Sequence, residues 1–228
     1  MKPGFHAVNR VMRTLLSILF RVDTSHLDRI PRQGPLVAIA NHINSFEAPV
    51  MVCWLDNPAV TGIGKRELWK NPFIHFLFQL WEIIPIDRGM VDRDAFNLAL
   101  AALKQGKVLS IAPEGTRSKT GQMQKGKPGV SLLAARSHAP ILPLAYWGHE
   151  AVWSNLRHLR RTDFHIEVGQ PFYLTAEGAS LSREIREAVS DEMMYKIAEL
   201  LPERYRGVYA FADRPVYRYL VPAQENAS

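Results

Sequence analysis

Short apolar runs and longer segments of helical period alternate along most of the chain. The apolar runs predict β-strands at residues 36–40, 60–63, 83–86, 108–112, 141–146 and 164–168. The periodic segments predict α-helices at residues 46–55, 66–81, 92–104, 128–137 and 181–200. Alternation of strands and helices is typical of an α/β domain. We therefore predict a single α/β domain with a largely parallel or mixed sheet flanked by helices.

The amino-terminal segment carries a helical pattern of its own. Seven apolar residues fall on one broad face of a helix: Phe5, Val8, Val11, Met12, Leu15, Leu16 and Leu19. Such a face either packs against its own domain or lies in the headgroup layer of a membrane, and the period alone leaves both open. The nearby Arg10 and Arg13 favour an anionic surface. A spanning helix needs about 20 apolar residues, and the charge-free stretch at 14–20 is too short.

The composition is that of a globular domain. The 228 residues are 47% apolar and 22% charged, which excludes a disordered chain and a multi-span membrane protein. The single cysteine, Cys53, excludes an intramolecular disulfide, and the eight histidines show no zinc-binding spacing. A net charge of +6 suits nucleic acid, anionic lipid or a phosphorylated substrate. No long linker occurs, so residues 33–228 are predicted to form one domain that follows the segment 1–32.

Polar and charged residues cluster just after four of the predicted strands. Ligands bind at the carboxyl ends of the strands in open α/β sheets, so these residues are the candidates for a site. They are Asn41, His42, Asn44 and Glu47, then Lys65, then Asp87 and Arg88, and finally Glu114, Gly115, Thr116 and Arg117. Ordinary core packing does not explain such a concentration of polar residues.

His42 and Glu47 are candidates for a proton-transfer pair. If His42 lies in a turn and Glu47 in the first turn of the next helix, the carboxylate can reach back to one imidazole nitrogen. The other nitrogen is then free to act as a base. The alternative is structural, because the segment 44–47 also fits a capping box in which the glutamate bonds to the backbone.

The segment 114–118 is a candidate anion site. Its glycine lets the backbone approach a ligand, and Arg117 can hold a phosphate through two hydrogen bonds. The alternative is a polar surface turn closed by a salt bridge. Lys125 and Lys127 follow in a stretch that mimics a phosphate-binding loop, but Pro128 stands where that loop needs serine or threonine. We keep the two lysines as candidate phosphate contacts and exclude a nucleoside triphosphate site.

The predicted helix 66–81 is rich in aromatic residues. They are Trp69, Phe73, Phe76, Phe78 and Trp81. Such a set either lines a site for an acyl chain or forms the buried face of an amphipathic helix, and burial is the more common role for each residue taken singly.

Four blocks of sequence carry a family resemblance. They are Asn41-His42-x4-Glu47, Ile86-Asp87-Arg88-Gly89, Ala112-Pro113-Glu114-Gly115-Thr116-Arg117-Ser118 and Ala139-Pro140-Ile141-Leu142-Pro143. In order and spacing they resemble the blocks of the glycerolipid acyltransferases, the 1-acylglycerol-3-phosphate acyltransferase family. With their strands the blocks run from Leu36 to Trp147, about half of the chain. The block that begins at Glu114 is the most specific of the four.

The resemblance implies acyl transfer from a thioester, carried on coenzyme A or acyl carrier protein, to a hydroxyl of a lysophosphatidate-like glycerolipid. This is a step of phospholipid biosynthesis or remodelling. His42 is then the general base and Glu47 orients it, and the hydroxyl attacks the thioester directly without an acyl-enzyme. The resemblance assigns acceptor binding to Arg88, Glu114, Gly115, Thr116 and Arg117, with Lys65 as a weaker candidate.

The resemblance also implies partners and a location. The segment 1–32 is expected to seat a peripheral or monotopic enzyme on the cytoplasmic face of a membrane. No metal, no cofactor other than the acyl donor and no nucleic acid is expected. One position departs from the family pattern, which usually has Asp where this chain has the longer Glu47. That departure keeps open a second function, a non-catalytic lipid- or phosphate-binding protein on the same scaffold.

Overall fold

A mixed β-sheet forms the centre of the molecule. The computed structural model describes residues 2–87, 92–180, 182–211 and 215–223. In these ranges the strands are β1 (Phe20–Val22), β2 (Leu36–Ala40), β3 (Val60–Lys65), β4 (Ile84–Ile86), β5 (Val108–Ile111), β6 (Ile141–Trp147), β7 (Thr162–Val168), β8 (Phe172–Leu174) and β9 (Leu220–Pro222). The main order across the sheet is β1-β7-β6-β2-β5-β3-β4, and β8 bridges β6 and β9. The single α/β domain with a mixed sheet is thereby confirmed.

The five central strands are parallel to one another, and antiparallel pairs occur among the added strands, although β1 pairs parallel with β7. β6, β2, β5, β3 and β4 run parallel to their neighbours in this part of the sheet. β7 and β8 pair antiparallel with β6, and β9 pairs antiparallel with β8. Because the parallel strands end at one edge, the turns that follow β2, β3 and β5 meet there.

Helices cover both faces of the sheet. They are α1 (Phe5–Leu19), α2 (Glu47–Leu55), α3 (Pro72–Leu80), α4 (Arg93–Lys104), α5 (Gly129–Ser137), α6 (Val152–Arg157) and α7 (Arg183–Leu200). Side chains alternate along β2, so Val37 and Ile39 join the core under α4, α5 and α7. Leu36 and Ala38 join the second core, under α1, α2 and α3. A strand buried on both faces explains why its sequence is a continuous apolar run.

The helix predicted at 66–81 is interrupted. A 3₁₀ turn covers Arg66–Lys70, and α3 begins only at Pro72. The residue before a proline is disfavoured in the helical conformation, and Asn71 accordingly adopts an extended one. The Asn71 side chain then caps α3 by accepting hydrogen bonds from the Phe73 and Ile74 backbone N–H groups.

The amphipathic amino-terminal helix is present, and its apolar face divides in two. Phe5 and Leu16 are buried in the core that α1 shares with α2. Val11, Leu15 and Ile18 are instead 61%, 53% and 66% exposed. Thus packing on the domain uses one part of the predicted stripe and leaves another part uncovered. None of the helices in the described ranges is both long enough and apolar enough to cross a membrane.

The carboxy-terminal segment braces the loop that follows β5. The Met123 N–H donates to the Tyr205 carbonyl at 2.8 Å. The Tyr209 hydroxyl accepts from the Gly126 N–H at 3.0 Å and donates to Asp191 at 2.7 Å. The sequence pattern assigned no role to this segment, because its contacts are made by isolated tyrosines from outside the main sheet.

Candidate active site

The site lies where the turns after β2 and β5 meet. His42 is the second residue after β2, and Glu47 is the first residue of α2. The turn after β5 is fixed to the turn after β2 by two hydrogen bonds of the His42 backbone. The Ser118 N–H donates to the His42 carbonyl at 2.8 Å, and the His42 N–H donates to Glu114 Oε1 at 2.9 Å. The structure therefore brings together two blocks that are some seventy residues apart in the sequence.

The two oxygens of Glu47 have different roles. Oε1 accepts hydrogen bonds from the Ile43 and Asn44 N–H groups at 2.8 and 2.7 Å. Oε2 lies 3.3 Å from His42 Nδ1. Contacts with the backbone and with the histidine are therefore both present, one on each oxygen. The capping box itself does not form, because the helix begins at Glu47 and its N-cap, Phe46, makes no side-chain capping bond. The longer glutamate side chain thus reaches the imidazole from the helix start while it closes the turn.

Glu47 is ionised despite its burial. Burial by itself raises the pKa of Glu47, but the hydrogen bonds and charges of His149 and His42 outweigh it and lower the pKa to about 2. His149 is a second histidine on this carboxylate, with Nε2 2.8 Å from Oε1. A fixed anion beside Nδ1 of His42 stabilises the protonated imidazole, which is what a general base requires after it takes a proton.

Glu114 supports the turn that carries His42. Oε1 accepts from the His42 N–H, and Oε2 accepts from the Gln124 N–H at 2.9 Å. The side chain is buried, and burial raises the pKa of Glu114, against the opposing effect of these hydrogen bonds. Both oxygens are therefore used by the chain itself. The Glu114 carboxylate thus links the His42 turn to the loop at Gln124. This loop is the one that the carboxy-terminal tyrosines brace.

Gly115, Thr116 and Arg117 of this block are less buried than Glu114. Gly115 has a positive φ of 68°, and an added Cβ would lie 3.1 Å from the side chain of Lys127. Thr116 and Arg117 are exposed, and Arg117 Nη1 donates to the Ser45 hydroxyl at 2.7 Å. Two cationic side chains, those of Arg117 and Lys127, therefore belong to or contact the glycine turn next to His42.

The other candidate cations lie further out or outside the described ranges. Lys65, at the end of β3, forms an exposed ion pair with Glu67 at 3.0 Å. Lys125 is largely exposed and lies 3.9 Å from Asp191. Arg88 lies outside the described residues, so its place at the site stays a prediction. In the described ranges, no group of three or more His, Cys, Asp or Glu side chains could hold a metal ion.

A narrow apolar cavity opens beside His42 and Glu47. Its volume is about 190 Å³, below the ~300–1,000 Å³ of a typical ligand pocket. Its apolar walls come from α2, α3, the segment after α3, and β4 and β5, and include Met51, Val52, Phe78, Trp81, Ile83, Ile86 and Ile111. Gly62 and Gly64 of β3 also line it. Such a space suits a slender, flexible chain. Of the aromatic residues in segment 66–81, Phe78 and Trp81 face the cavity, whereas Phe73 and Phe76 are exposed.

The chemistry of the site favours a base rather than a nucleophile. His42 is partly exposed at the mouth of the cavity, and its Nδ1 faces the carboxylate. Burial, with a further contribution from Asp56, raises the pKa of the Cys53 thiol to about 12. A thiol that stays protonated is a poor nucleophile. The arrangement can therefore deprotonate a hydroxyl held near His42.

Sequence reasoning missed His149 and Tyr146. Both lie at the carboxyl end of β6 or just beyond it, so the strand-end rule that selected the other candidates points to this turn as well. Tyr146 is 2% exposed and lines the cavity. Its hydroxyl has no hydrogen-bond partner within the described ranges, and burial together with the nearby Glu47 raises the pKa of Tyr146.

Comparison with known proteins gives the family and supports an O-acyltransferase. The acyltransferase family model matches residues 21–147. The chain belongs to the acyltransferase family. Relatives named 1-acyl-sn-glycerol-3-phosphate acyltransferase include one from Pseudomonas aeruginosa, 27% identical over 82% of this chain and 72% of its own length. Another, from Bacillus subtilis, is 22% identical over 83% of this chain and 92% of its own length.

A solved structure has the same fold. The crystal structure titled as the 1-acyl-sn-glycerophosphate (LPA) acyltransferase PlsC from Thermotoga maritima superposes with a TM-score of 0.60. It covers 86% of this chain and 78% of its own, at 22% sequence identity. The likeness extends beyond residues 21–147, which the family model matches, to most of the domain.

Proposed function

We propose that the protein transfers a fatty acyl group from an acyl thioester to the free hydroxyl of a lysophosphatidate-like glycerolipid at a membrane surface. The donor is acyl-coenzyme A or acyl carrier protein. The observation that carries the proposal is the 3.3 Å contact between His42 Nδ1 and Glu47 Oε2, made at the mouth of an apolar cavity lined by both residues. The names of the bacterial relatives support the lysophosphatidate-like acceptor.

His42 and Glu47 carry the proton transfer. His42 Nε2 takes the proton of the acceptor hydroxyl as the oxygen forms a bond to the thioester carbon, and Glu47 stabilises the resulting imidazolium. The tetrahedral intermediate then expels the thiolate, and the carbon–sulfur bond breaks. The proton on His42 passes to the thiolate, which leaves the ester and the free thiol as products. No acyl-enzyme forms, in keeping with the protonated Cys53 thiol.

The acceptor phosphate binds next to His42 on the cationic turn. Lys127 lies against Gly115, which lines the cavity, and Arg117 follows two residues later in the same turn. Arg117 offers a planar pair of donors that matches phosphate, and Lys127 adds a point charge. We assign Thr116 to the same contact, together with Arg88 and, more weakly, Lys65. Glu114 contributes indirectly, because its carboxylate holds the His42 and Gln124 backbones.

The acyl chain of the donor enters the apolar cavity, and Gly62 lies in the wall of that cavity. An added Cβ there would lie 3.3 Å from the Ser110 carbonyl oxygen and 3.7 Å from Ile83 Cδ1. Gly62→Val therefore adds bulk to the cavity wall between β3, β5 and Ile83. We expect the ratio of palmitoyl to butyryl transfer to fall at least about fivefold, with butyryl transfer retained. Rates with the two donors measure this ratio.

A matched control for the cavity prediction is Gly129→Val. An added Cβ at Gly129 meets nothing within 4 Å, so the chain-length profile should stay that of the wild type. If Gly62→Val reduces both donors equally, or leaves the palmitoyl rate unchanged, the acyl chain does not occupy this cavity.

The exposed part of α1 is the membrane-facing surface in this proposal, and the segment 1–32 is the membrane-associating part. Val11, Leu15 and Ile18 project from the domain. Lys2 donates to the Gln79 carbonyl at the end of α3, and Arg161 donates to the Phe20 carbonyl just after α1. The residues that flank α1 thus contact α3 and the turn after α6. Exposed apolar residues occur in these neighbouring elements: Phe73 and Phe76 in α3, Trp153 in α6 and Leu159 after it. Cationic residues beside such a surface suit anionic lipid.

The triple variant Val11→Ser, Leu15→Ser, Ile18→Ser tests this surface. It removes apolar area from a face that contributes nothing to the core, so the melting temperature should stay near the wild-type value. Partitioning onto anionic vesicles should fall at least about tenfold. The control is Val208→Ser with Val216→Ser, two valines that are 66% and 91% exposed in the carboxy-terminal segment. Equal binding of both variants would exclude α1 as the membrane contact.

The function itself is tested by thiol release from acyl-coenzyme A and from acyl carrier protein, in vesicles. Lysophosphatidate, glycerol 3-phosphate and a lysolipid without the free phosphate monoester serve as acceptors. We expect release that depends on lysophosphatidate and is weak with the other two. Lipid binding without acceptor-dependent release from either donor would contradict the proposal and favour a non-catalytic binding protein.

A further inference from the structure

A second histidine holds the carboxylate that faces His42. His149 follows β6 in the 3₁₀ turn His149–Ala151. Its side chain is 0% exposed, and its ring stacks on Phe164 with centroids 4.2 Å apart and planes 19° apart. From there Nε2 reaches Glu47 Oε1 at 2.8 Å. The His149 carbonyl also accepts from the Asn44 side-chain amide at 3.1 Å, which ties this turn to the one that carries His42.

Glu47 needs such a restraint because its side chain has one more rotatable bond than that of aspartate. Oε1 receives three donors, the Ile43 N–H, the Asn44 N–H and His149 Nε2. An ionised carboxylate only accepts, so Nε2 of His149 carries the proton of this bond. With Oε1 held by three donors, Oε2 lies 3.3 Å from His42 Nδ1.

Packing alone does not account for a histidine at this position. A phenylalanine would stack on Phe164 equally well and would bury no polar atom. His149 instead buries Nδ1, which has no hydrogen-bond partner within the described ranges. An unpaired buried polar atom is destabilising. The histidine therefore combines a destabilising unpaired nitrogen with the bond to Glu47.

The structure assigns His149 as a positioning residue of the acyl transfer: it holds the Glu47 carboxylate in the orientation that aligns His42. This assignment rests on the proposed function, since it acts on the base of that reaction. His149 does not touch the substrates and exchanges no proton with them. The titratable groups that face Glu47 are His42, His149 and Tyr146.

The test compares His149→Phe with His149→Gln. The first keeps the stacking on Phe164 and removes the donor, whereas the second replaces Nε2 with an amide nitrogen that can donate. We expect kcat to fall about 10–100-fold in His149→Phe, with both KM values within about twofold. His149→Gln should stay within about threefold of the wild-type kcat.

A double-mutant cycle separates positioning from general structural damage. Since His149 acts through Glu47, adding His149→Phe to Glu47→Gln should cost less than about twofold more. If His149 had only a structural role, His149→Phe would lower kcat by the same factor in the wild type and in Glu47→Gln. The control is His165→Phe, which changes another histidine stacked on an aromatic ring, Trp147, at 5.1 Å and 13°. It should keep the wild-type kcat.

A second measurement needs no turnover. A ¹³C NMR titration of the Glu47 carboxyl should show a higher pKa in His149→Phe than in the wild type, and no change in His165→Phe. Equal losses in both backgrounds of the cycle, or an unchanged Glu47 pKa, would overturn the assignment. If the wild type transfers no acyl group, the proposed function fails, and the titration still decides whether His149 controls Glu47.

Discussion

Replacing His42 with alanine should lower the rate of acyl transfer about 10³-fold, which is within the range for loss of a general base. Nδ1 of His42 lies against the Glu47 carboxylate, and the ring stands at the mouth of the apolar cavity. Without the imidazole, the acceptor hydroxyl has no group positioned to take its proton. Steady-state rates with saturating donor and acceptor measure the loss.

The His42→Ala variant should fold normally. The contacts that hold this turn are made by the His42 backbone, through its N–H to Glu114 and its carbonyl from Ser118. Alanine keeps both. Vesicle binding should therefore match the wild type, and the melting temperature should fall only modestly, because Glu47 keeps its three donors on Oε1. Full activity in a folded His42→Ala protein would remove the histidine from the mechanism.

The Glu47→Gln substitution should reduce kcat about 10²–10³-fold. It favours the imidazole tautomer that cannot accept the substrate proton, as the loss of the carboxylate does in a catalytic triad. Three donors hold Oε1 in place, so the amide oxygen of glutamine takes that position. The amide nitrogen then faces His42 Nδ1 and donates to it. His42 consequently carries its proton on Nε2, the nitrogen that must accept one from the substrate.

The same substitution should change how stability depends on pH. The folded-state pKa of Glu47 is lowered from 4.5 to about 2, so its ionised form stabilises the fold above pH 4.5, and this contribution is lost as the pH falls towards 2. Linkage gives it a size of about 3 kcal/mol. The free energy of unfolding of the wild type should therefore fall relative to that of Glu47→Gln over this interval, as measured by urea unfolding.

The control for both effects is Glu187→Gln, which removes an exposed carboxylate paired with Arg183 on α7. An exposed pair of this kind contributes little to stability, so the rate and the pH dependence should stay those of the wild type. If the stability difference between wild type and Glu47→Gln is the same at pH 6 and pH 2, the Glu47 carboxylate is not the stabilised anion described here.

Much of the site followed from where polar residues stand in the sequence. Each of the runs 36–40 and 108–112 predicted a strand, and each is one, so the turns carrying His42 and Arg117 were expected at one edge of the sheet. The contact between His42 and Glu47 was predicted from their spacing. The alternative, a capping box over 44–47, is met only in that Glu47 bonds to backbone N–H groups, because the helix begins at Glu47 and its N-cap, Phe46, makes no side-chain capping bond.

What the sequence did not predict depends on contacts between distant segments. Glu114 turns inward to two backbone N–H groups, and no local pattern distinguishes that from an outward carboxylate. The division of α1 into buried and exposed parts depends on how far α2 covers it. β1, β8 and β9 have three residues each, which is too few to show an alternating pattern of apolar and polar residues. The sequence places His149 just after a predicted strand, but its contact with Glu47 depends on the pairing of β6 with β2 in the folded sheet.

The central claim is that His42 activates a lysolipid hydroxyl for direct acyl transfer. Mass spectrometry of vesicles containing lysophosphatidate, supplied with palmitoyl-coenzyme A or palmitoyl-carrier protein, tests it most directly. The account predicts diacylated product with the wild type and with the surface control His165→Gln, and almost none with His42→Gln. Product formed by His42→Gln at the wild-type rate, or none formed by the wild type with either donor, would contradict it.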